Sequence, residues 1–462
     1  MTALKTKRKN EINMTEGALL GKLLLFTLPI IGSNVLQALF NTVDMIVVGK
    51  FEGDIALGAV GTTGSLISLI TSIFVGLSLG AGVCVSVALG ARKERDVSEF
   101  VHTGIALALV SGVLVGVVGA LLAPVFLSWM NVEGALLEMA TAYVRVYFIG
   151  APFITLYNFG FAIMRSLGDT RRPLLYIIVA GVANAGFNLF FVAVCGIGVV
   201  GVALGTVVSY LISSTCVVVS LCRYQNACRL SLRRLHLSLR HLAEICRIGI
   251  PAGVRGALFG ISNTMLQASV NSLGDIATAG NAAGANIENY LYFSVSAYSA
   301  TAAAFIGQNY GAGKHRRIRR VLGICLLLTA LTGMAVGWGF LLGRHALLSL
   351  YLDVGSPAME IGAARMISTF TLYFLEGVYE TLGGALQGIK VTFLPTVATI
   401  LCICVFRLLW IFTVFPLPSM HTIGGLYLCY PISWALNILF LLGMILYYYP
   451  RLCPREPLPT AE

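Results

Sequence analysis

Three long stretches without any charged residue constrain this chain more than any other feature of its sequence. They run from Ile55 to Ala91, from Pro173 to Cys222 and from Leu408 to Pro450, and they hold 37, 50 and 43 residues. A helix needs about 20 apolar residues to cross a bilayer, so each stretch is too long for a single crossing. Continuous apolar runs favour helices over a β-barrel, whose strands alternate. The sequence therefore predicts an all-α polytopic membrane protein.

The composition excludes most other broad classes of protein. Of the 462 residues, 57% are hydrophobic and only 11% are charged, whereas soluble domains have roughly a quarter of their residues charged. The net charge of +11 comes from basic residues dispersed among short connections, so a nucleic-acid partner is not expected. The eleven cysteines lack metal-ligand spacing and the six histidines are dispersed, so we expect neither a metal site nor a cofactor.

Hydropathy, with glycine, proline and charge as boundaries, predicts twelve membrane spans. The first six lie near residues 21–48, 55–88, 100–127, 136–163, 173–194 and 198–222. The second six lie near residues 245–271, 280–308, 320–343, 357–388, 391–415 and 422–449. The first span follows Glu11 and Glu16 and has no cleavage site of small residues, so it reads as a retained span rather than a signal peptide.

The basic residues test this count, because short cytoplasmic loops collect Lys and Arg during insertion. With twelve spans, 25 of the 31 Lys and Arg residues fall on one side of the membrane, and only Lys50 and Arg344 fall on the other. Four more lie inside spans: Arg145, Arg255, Arg365 and Arg407. The asymmetry predicts that both termini are cytoplasmic, and the inner membrane is the expected location.

An internal repeat divides the chain into two halves. The sequence Gly-Asp-Ile-Ala at residues 53–56 recurs at residues 274–277, a shift of 221. The predicted units are a six-helix lobe at 1–222, a basic cytoplasmic linker at 223–244 and a second six-helix lobe at 245–462. Even numbers of spans give both halves the same orientation, and two such bundles around a central cavity predict a secondary transporter. A duplicated channel or membrane enzyme is the alternative, and the residues around Lys314 lack the spacing of a nucleotide-binding loop.

Polar side chains inside the first half form a candidate ion site. Asp44 ends a stripe that begins at Asn34 and continues through Gln37 and Asn41 at helical spacing, and this stripe should face inward. Asn184, Asn188 and Thr206 lie in the fifth and sixth spans. An acid, two amides and a hydroxyl can bind a sodium ion or set the proton affinity of the acid. The simpler alternative is that the amides only join helices.

The second half has the other three intramembrane acids, Glu288, Glu376 and Glu380. The spacing places Tyr373, Glu376 and Glu380 on one face of the tenth span. Two carboxylates one turn apart repel, which suits the pair to taking up a proton or to attracting a cationic substrate. The alternative is that Arg407 in the eleventh span neutralises one of them as a structural ion pair.

A series of motifs runs through both halves in a recognisable order. The first half contains LPIIGSNVLQALFNTVDMIVVG, LGARKE, YVRVYFIGAP, MRSLGDTRRP, NAGFN and GVVGVALGT, and the second half contains IPAGVRG, FIGQNYGAGKHRRIRR, LQGIKVTFLP and IGGLY. Over nearly its whole length the chain resembles bacterial members of the multidrug and toxic compound extrusion (MATE) family. The resemblance implies an antiporter rather than an enzyme. It would export small amphipathic, cationic compounds in exchange for protons or sodium, act as a monomer among membrane lipids, and contribute to antibiotic resistance.

The resemblance also assigns roles to residues. It implies that Asp44, Asn184, Asn188 and Thr206 form the cation site of the first lobe, with an amide at Asn188 where some members have an aspartate. Glu376 matches an acid of the tenth span, whereas Phe259 replaces a glutamate that certain sodium-coupled members have in the seventh span. A flippase or exporter for a lipid-linked or anionic metabolite remains the alternative within the same superfamily.

Overall fold

A computed structural model describes residues 11–130 and 132–452. In these residues every regular element is helical. The α-helices are α1 (Leu19–Gly90), α2 (Glu94–Trp129), α3 (Gly134–Ile149), α4 (Ala151–Ser166), α5 (Arg171–Leu189), α6 (Gly198–Arg223), α7 (Leu239–Asn271), α8 (Asp275–Gly311), α9 (His315–Leu342), α10 (Arg344–Leu348), α11 (Pro357–Phe370), α12 (Phe374–Gly388), α13 (Phe393–Thr399), α14 (Phe406–Thr413), α15 (Ile423–Tyr427) and α16 (Cys429–Leu452). The all-α prediction is therefore confirmed for the described residues.

A glycine interrupts helix α1, and short π-helical segments extend two other helices. Helix α1 contains two spans, Leu19–Gly53 and Gly58–Gly90, because Gly53 adopts φ 80° and ψ −172°, a conformation that favours glycine. Gly274, which is 221 residues later, has φ 97° and ψ 173° and precedes α8. The repeated motif therefore marks the same backbone turn in both halves. Five-residue and six-residue π-helical segments, Phe190–Val194 and Ile400–Val405, follow α5 and α13.

Nine helices of the described residues are long and apolar enough to cross a membrane, or ten if α3 and α4, which are bent by 49° at a break, form one span. Every predicted span has helix at its position. The shortfall from twelve comes from α8, which is rich in alanine and asparagine, and from α11 and α12, which have 14 and 15 residues and are each shorter than a crossing. Twelve crossings therefore stay a prediction.

The contacts within the chain define two compact units. Of the described residues, the first contains 11–13 together with Leu28–Ala257, and the second contains Met14–Thr27 together with 258–452. This division falls inside α7, whereas the sequence-based lobes 1–222 and 245–462 are divided at the linker. The difference arises because Met14–Thr27 is grouped with the second unit and the residues of α7 up to Ala257 are grouped with the first. Residues 1–10, which include four of the counted basic residues, and residues 453–462, which include Arg455, lie outside the described residues.

Each unit has its own tightly packed helices. In the first unit α2 packs against α3 and α4, and α5 packs against α6. In the second unit α8 packs against α9, α11 and α12, and α12 also packs against α16. Pairs of packed helices place polar side chains from residues far apart in sequence next to one another, and these pairs hold the two candidate sites.

Candidate ion and substrate sites

Asp44 lies on the first arm of α1, which is the span Leu19–Gly53. Its side chain is buried next to polar side chains. Its exposed fraction is 9%. Of the stripe predicted to face inward, Asn34 and Gln37 are half-buried and Asn41 is exposed. The stripe is therefore buried only at its Asp44 end.

Asp44 and three side chains from α5 and α6 form a closed ring of hydrogen bonds. Asn188 Nδ2 donates to Asp44 Oδ1 at 2.5 Å, and Thr206 Oγ1 donates to Asp44 Oδ2 at 3.5 Å. Asn188 Nδ2 also reaches Asn184 Oδ1 at 3.4 Å, and Asn184 Nδ2 donates to Thr206 Oγ1 at 3.5 Å. Asn184 and Asn188 lie one turn apart on α5, and Thr206 lies on α6, which packs against it. The structure thus brings together all four residues predicted for this site.

The partners of Asp44 are all neutral. No basic side chain among the described residues forms an ion pair with this carboxyl group. A buried carboxylate without a counter-ion is costly, because neutral donors replace only part of its hydration. Binding a proton or a metal cation removes that cost. The carboxyl group of this ring is therefore suited to exchanging a proton or a cation.

The carbonyl oxygen of Asn188 is the one polar atom of the ring that is buried and has no hydrogen-bond partner. It points toward Gly205 on α6, where an added Cβ would lie 1.9 Å from this oxygen. Gly205 therefore supplies the space that the amide occupies. The unpartnered oxygen is a spare acceptor beside the carboxyl group, and a proton on Asp44 or a cation could use it after rotation of the amide.

The second unit contains a different arrangement, an ion pair between α8 and α11. Arg365 Nη2 lies 2.5 Å from Glu288 Oε2, and the exposed fractions of the two side chains are 4% and 13%. The guanidinium group of Arg365 also lies 4.7 Å from the ring centroid of Tyr427. The sequence places Arg365 inside a predicted span but does not indicate its partner. The available signal was that charges buried in membrane spans usually pair with each other.

The acids predicted on one face of the tenth span lie on α12. Glu376 and Glu380 are buried, and Glu376 Oε1 accepts a hydrogen bond from Tyr379 Oη at 3.3 Å. Tyr373 lies in the break before α12, and its ring packs edge-on against Trp434 at 5.2 Å. The continuous span predicted over 357–388 is therefore interrupted, and the ring of Tyr373 packs against an aromatic neighbour.

The contacts of Arg407 on α14 are with the last long helix, and an ion pair of Arg407 with Glu376 or Glu380 stays a prediction. Its guanidinium group lies 3.7 Å from the ring centroid of Tyr430, and its Nε donates to Ser433 Oγ at 3.3 Å. Both partners are on α16. Arg407 is thus buried against an aromatic face and a hydroxyl group.

Comparisons with known proteins agree with this architecture. A family model described as MatE matches residues 29–190 and 251–413, and the starts of the two matches differ by 222 residues, close to the shift of the internal repeat. The chain is 25% identical over 426 residues to the "Probable multidrug resistance protein YoeA" of Bacillus subtilis (strain 168), which covers 91% of this chain and 92% of the relative. It is 24% identical over 292 residues to the "FAD transporter" of Shewanella oneidensis, which covers 61% of this chain and 63% of the relative.

A solved structure supports the fold over almost the whole chain. The outward-facing conformation of a multidrug resistance MATE family transporter of the MOP superfamily superimposes with a TM-score of 0.85 at 19% identity, covering 96% of this chain and 99% of that one. Fold, repeat and relatives together define a multi-pass membrane transporter. The chain belongs to the MatE family.

Proposed function

We propose that this protein is an ion-coupled exporter of small amphipathic, cationic organic compounds, located in the inner membrane with both termini in the cytoplasm and active as a monomer. The observation that carries the proposal is the ring around Asp44, a buried carboxyl group held by neutral partners only. The occupancy of this group by a proton or sodium ion would shift the balance between inward-open and outward-open states. Binding can shift such a balance only by its differential affinity for the two states.

The geometry of the ring favours a proton over sodium. A sodium ion needs several oxygen ligands, and Asn188 directs its nitrogen, not its oxygen, at Asp44. A proton on Asp44 needs one acceptor, and the unpartnered oxygen of Asn188 can supply it after one rotation of the amide. We therefore propose proton coupling, with sodium as the outcome that would change this assignment.

The substrate side of the proposal rests on the second unit. Glu376 and Glu380 are buried acids on α12, and acids inside a membrane span attract a cationic substrate. Glu288 has its charge neutralised by Arg365, so its proposed role is to orient α8 against α11. Tyr373 is proposed to support this region through Trp434.

Reconstituted vesicles loaded with a cationic dye test the coupling. Export driven by an imposed pH gradient should fall to the background of empty vesicles in Asp44→Asn, and an imposed sodium gradient should drive little export in the wild type. Glu52→Gln is the matched control, because it makes the same carboxyl-to-amide change on the same arm of α1 outside the ring. Undiminished pH-driven export by Asp44→Asn would remove this residue from the mechanism.

An exporter of an anionic metabolite is the second candidate. A relative is named as an FAD transporter, and the second unit of this chain buries Arg407 to an exposed fraction of 2%. Vesicles loaded with FAD and, separately, with a cationic dye discriminate between the candidates. Export of FAD but not of the dye, lost in Arg407→Gln, would favour the anionic cargo.

A further inference from the structure

The linker between the halves is fastened to the start of α2 at both ends of one short segment, residues 231–238, which we call the linker strap. At one end the backbone N–H of Ser231 donates to His102 Nε2 at 3.1 Å. At the other end the backbone N–H of Ser238 donates to Thr103 Oγ1 at 3.3 Å. The strap leads directly into α7, whose residues up to Ala257 lie in the same unit. These two contacts therefore position the chain where it enters the second half.

The contacts of His102 allow only one protonation state. Its Nδ1 lies 2.7 Å from the carbonyl oxygen of Ser98, which can only accept, so Nδ1 carries a hydrogen. Its Nε2 faces the N–H of Ser231, which can only donate, so Nε2 carries none. The ring is buried, with an exposed fraction of 4%. The docked strap thus requires a neutral His102.

The contacts of His236, which lies within the strap, require the opposite state. Its Nδ1 is 2.9 Å from the carbonyl oxygen of Arg234, and its Nε2 is 2.7 Å from Glu99 Oε2. Both partners are acceptors, so both ring nitrogens donate when the ring is an imidazolium. Both hydrogen bonds raise the pKa of His236 above its ordinary value, and the bond to the carbonyl oxygen of Arg234 has the larger effect.

The two rings face each other, with centroids 6.5 Å apart and planes 25° apart. A proton added to His102 would remove the acceptor of Ser231 and place a second positive charge beside His236. The other charged groups and histidines near these rings in sequence are Glu94, Arg95, Asp96 and Glu99 at the start of α2, Arg233 and Arg234 in the strap, and Arg240, His241, Glu244 and Arg247 at the start of α7. His241 Nε2 lies 3.7 Å from Asp96 Oδ1, and His241 Nδ1 forms a hydrogen bond with Ser238 Oγ at 2.8 Å.

We propose that the linker strap is a pH-responsive clasp, docked on α2 near neutral pH and released when the cytoplasm becomes acidic, with His102 as the positioning residue that reads the pH. Imidazole is the side chain whose charge changes between about pH 5 and 8. Docking needs the neutral imidazole of His102, because a proton on its Nε2 removes the acceptor of the Ser231 N–H. The orientation that makes this side cytoplasmic rests on the proposed function, whereas the clasp itself does not.

The contribution of His236 has the opposite sign. Because its pKa is raised in the docked state, its contribution is present at low pH and is lost as the pH rises through the raised value. Half of this side chain is exposed, with an exposed fraction of 51%, so its ion pair with Glu99 is screened and weak. Docking is therefore strongest in an intermediate pH window with a steep acid limb and a shallow alkaline limb.

Hydrogen exchange of the full-length purified protein, read by mass spectrometry on peptides covering the strap, tests the clasp. Exchange is measured between about pH 5.5 and 8 and corrected for the intrinsic exchange rate. The protection factor of the wild-type strap should fall at least about tenfold at the acid end. His102→Gln should keep its protection there, because an amide oxygen can accept from Ser231 and does not titrate. His345→Gln, a change of an exposed histidine on α10, should behave as the wild type.

Wild-type protection that does not change with pH would overturn the proposal, and so would an equal acid loss in His102→Gln. If His102→Gln fails to fold, the wild-type series still decides, since a strap held by non-titrating contacts shows no acid release. This measurement is independent of transport. Undiminished export by Asp44→Asn would therefore not contradict the clasp. A strap whose protection does not change with pH would not contradict the proposed export function.

Discussion

Asp44 in the first unit and Glu288 in the second are both intramembrane acids, but the structure gives them opposite kinds of partner. Asp44 accepts hydrogen bonds from an amide and a hydroxyl group. Glu288 forms an ion pair with Arg365, whose other face lies over Tyr427. The repeat thus reproduces the helices in both halves without reproducing the chemistry of their buried acids.

The difference determines which acid can change its charge. A carboxylate paired with a guanidinium group in a buried site is held ionised by its partner, and losing either member leaves a lone buried charge. A carboxyl group among neutral partners has no such constraint, so a proton or cation can come and go. Under the proposed function, ion coupling therefore belongs to the first unit, and the ion pair in the second unit has a structural role.

The largest expected effect comes from breaking the ion pair. Arg365→Gln leaves the carboxylate of Glu288 without its cation, and removing one member of a buried pair costs about 3–5 kcal/mol. Thermal unfolding of the purified protein should show a large drop in the apparent Tm.

Two further variants make this prediction specific. Arg365→Gln combined with Glu288→Gln removes both charges and should recover most of the lost stability. Arg145→Gln changes an exposed arginine on α3 and should leave the apparent Tm near that of the wild type. If the double variant is no more stable than Arg365→Gln alone, the ion pair is not what the arginine stabilises.

Sequence alone predicted the fold because the signals for it are local. Each predicted apolar span has helix at its position, and the repeated Gly-Asp-Ile-Ala motif locates a backbone turn that Gly53 and Gly274 both make. The break between α11 and α12 was missed, since residues 371–373 contain neither glycine nor proline. The ring around Asp44 was predicted through helical spacing and family resemblance together.

The rest depends on how helices distant in sequence pack. Arg407 finds Tyr430 on another helix, and Glu288 finds Arg365, 77 residues away. Spacing within one helix cannot reveal such partners. For the same reason the six histidines seemed unrelated in the sequence, although the fold places His102 beside His236.

A second prediction tests the space that the ring around Asp44 needs. Gly205→Ala would place a Cβ 1.9 Å from the oxygen of Asn188, so the amide must move away from Asp44. Such overpacking costs about 1–3 kcal/mol, and pH-driven export should fall with it. Gly186→Ala is the control, because a Cβ at that position on α5 meets nothing within 4 Å. Equal export by both variants would show that the position of the Asn188 amide does not matter.

A third, smaller effect tests the contact of Arg407 with Tyr430 in the second unit. The ring of Tyr430 lies against the guanidinium group of Arg407, and such contacts contribute about 0.5–2 kcal/mol. Tyr430→Phe keeps the aromatic face and should retain nearly all stability, whereas Tyr430→Leu removes the face and should lower the apparent Tm further. Equal values for the two variants would mean that the aromatic face does not stabilise Arg407.

The smallest expected effect is the stability change of Asp44→Asn, and it separates the two acids most directly. The change removes a buried charge that has no cationic partner. The oxygen of the new amide can still accept from Asn188, and its nitrogen can donate to Thr206 Oγ1, whose hydroxyl hydrogen then goes to the carbonyl oxygen of Val202. The apparent Tm should therefore stay near the wild-type value or rise slightly, even though coupled export is lost. A fall as large as that of Arg365→Gln would show that Asp44 depends on a compensating cation, and the division of roles between the two units would then be wrong.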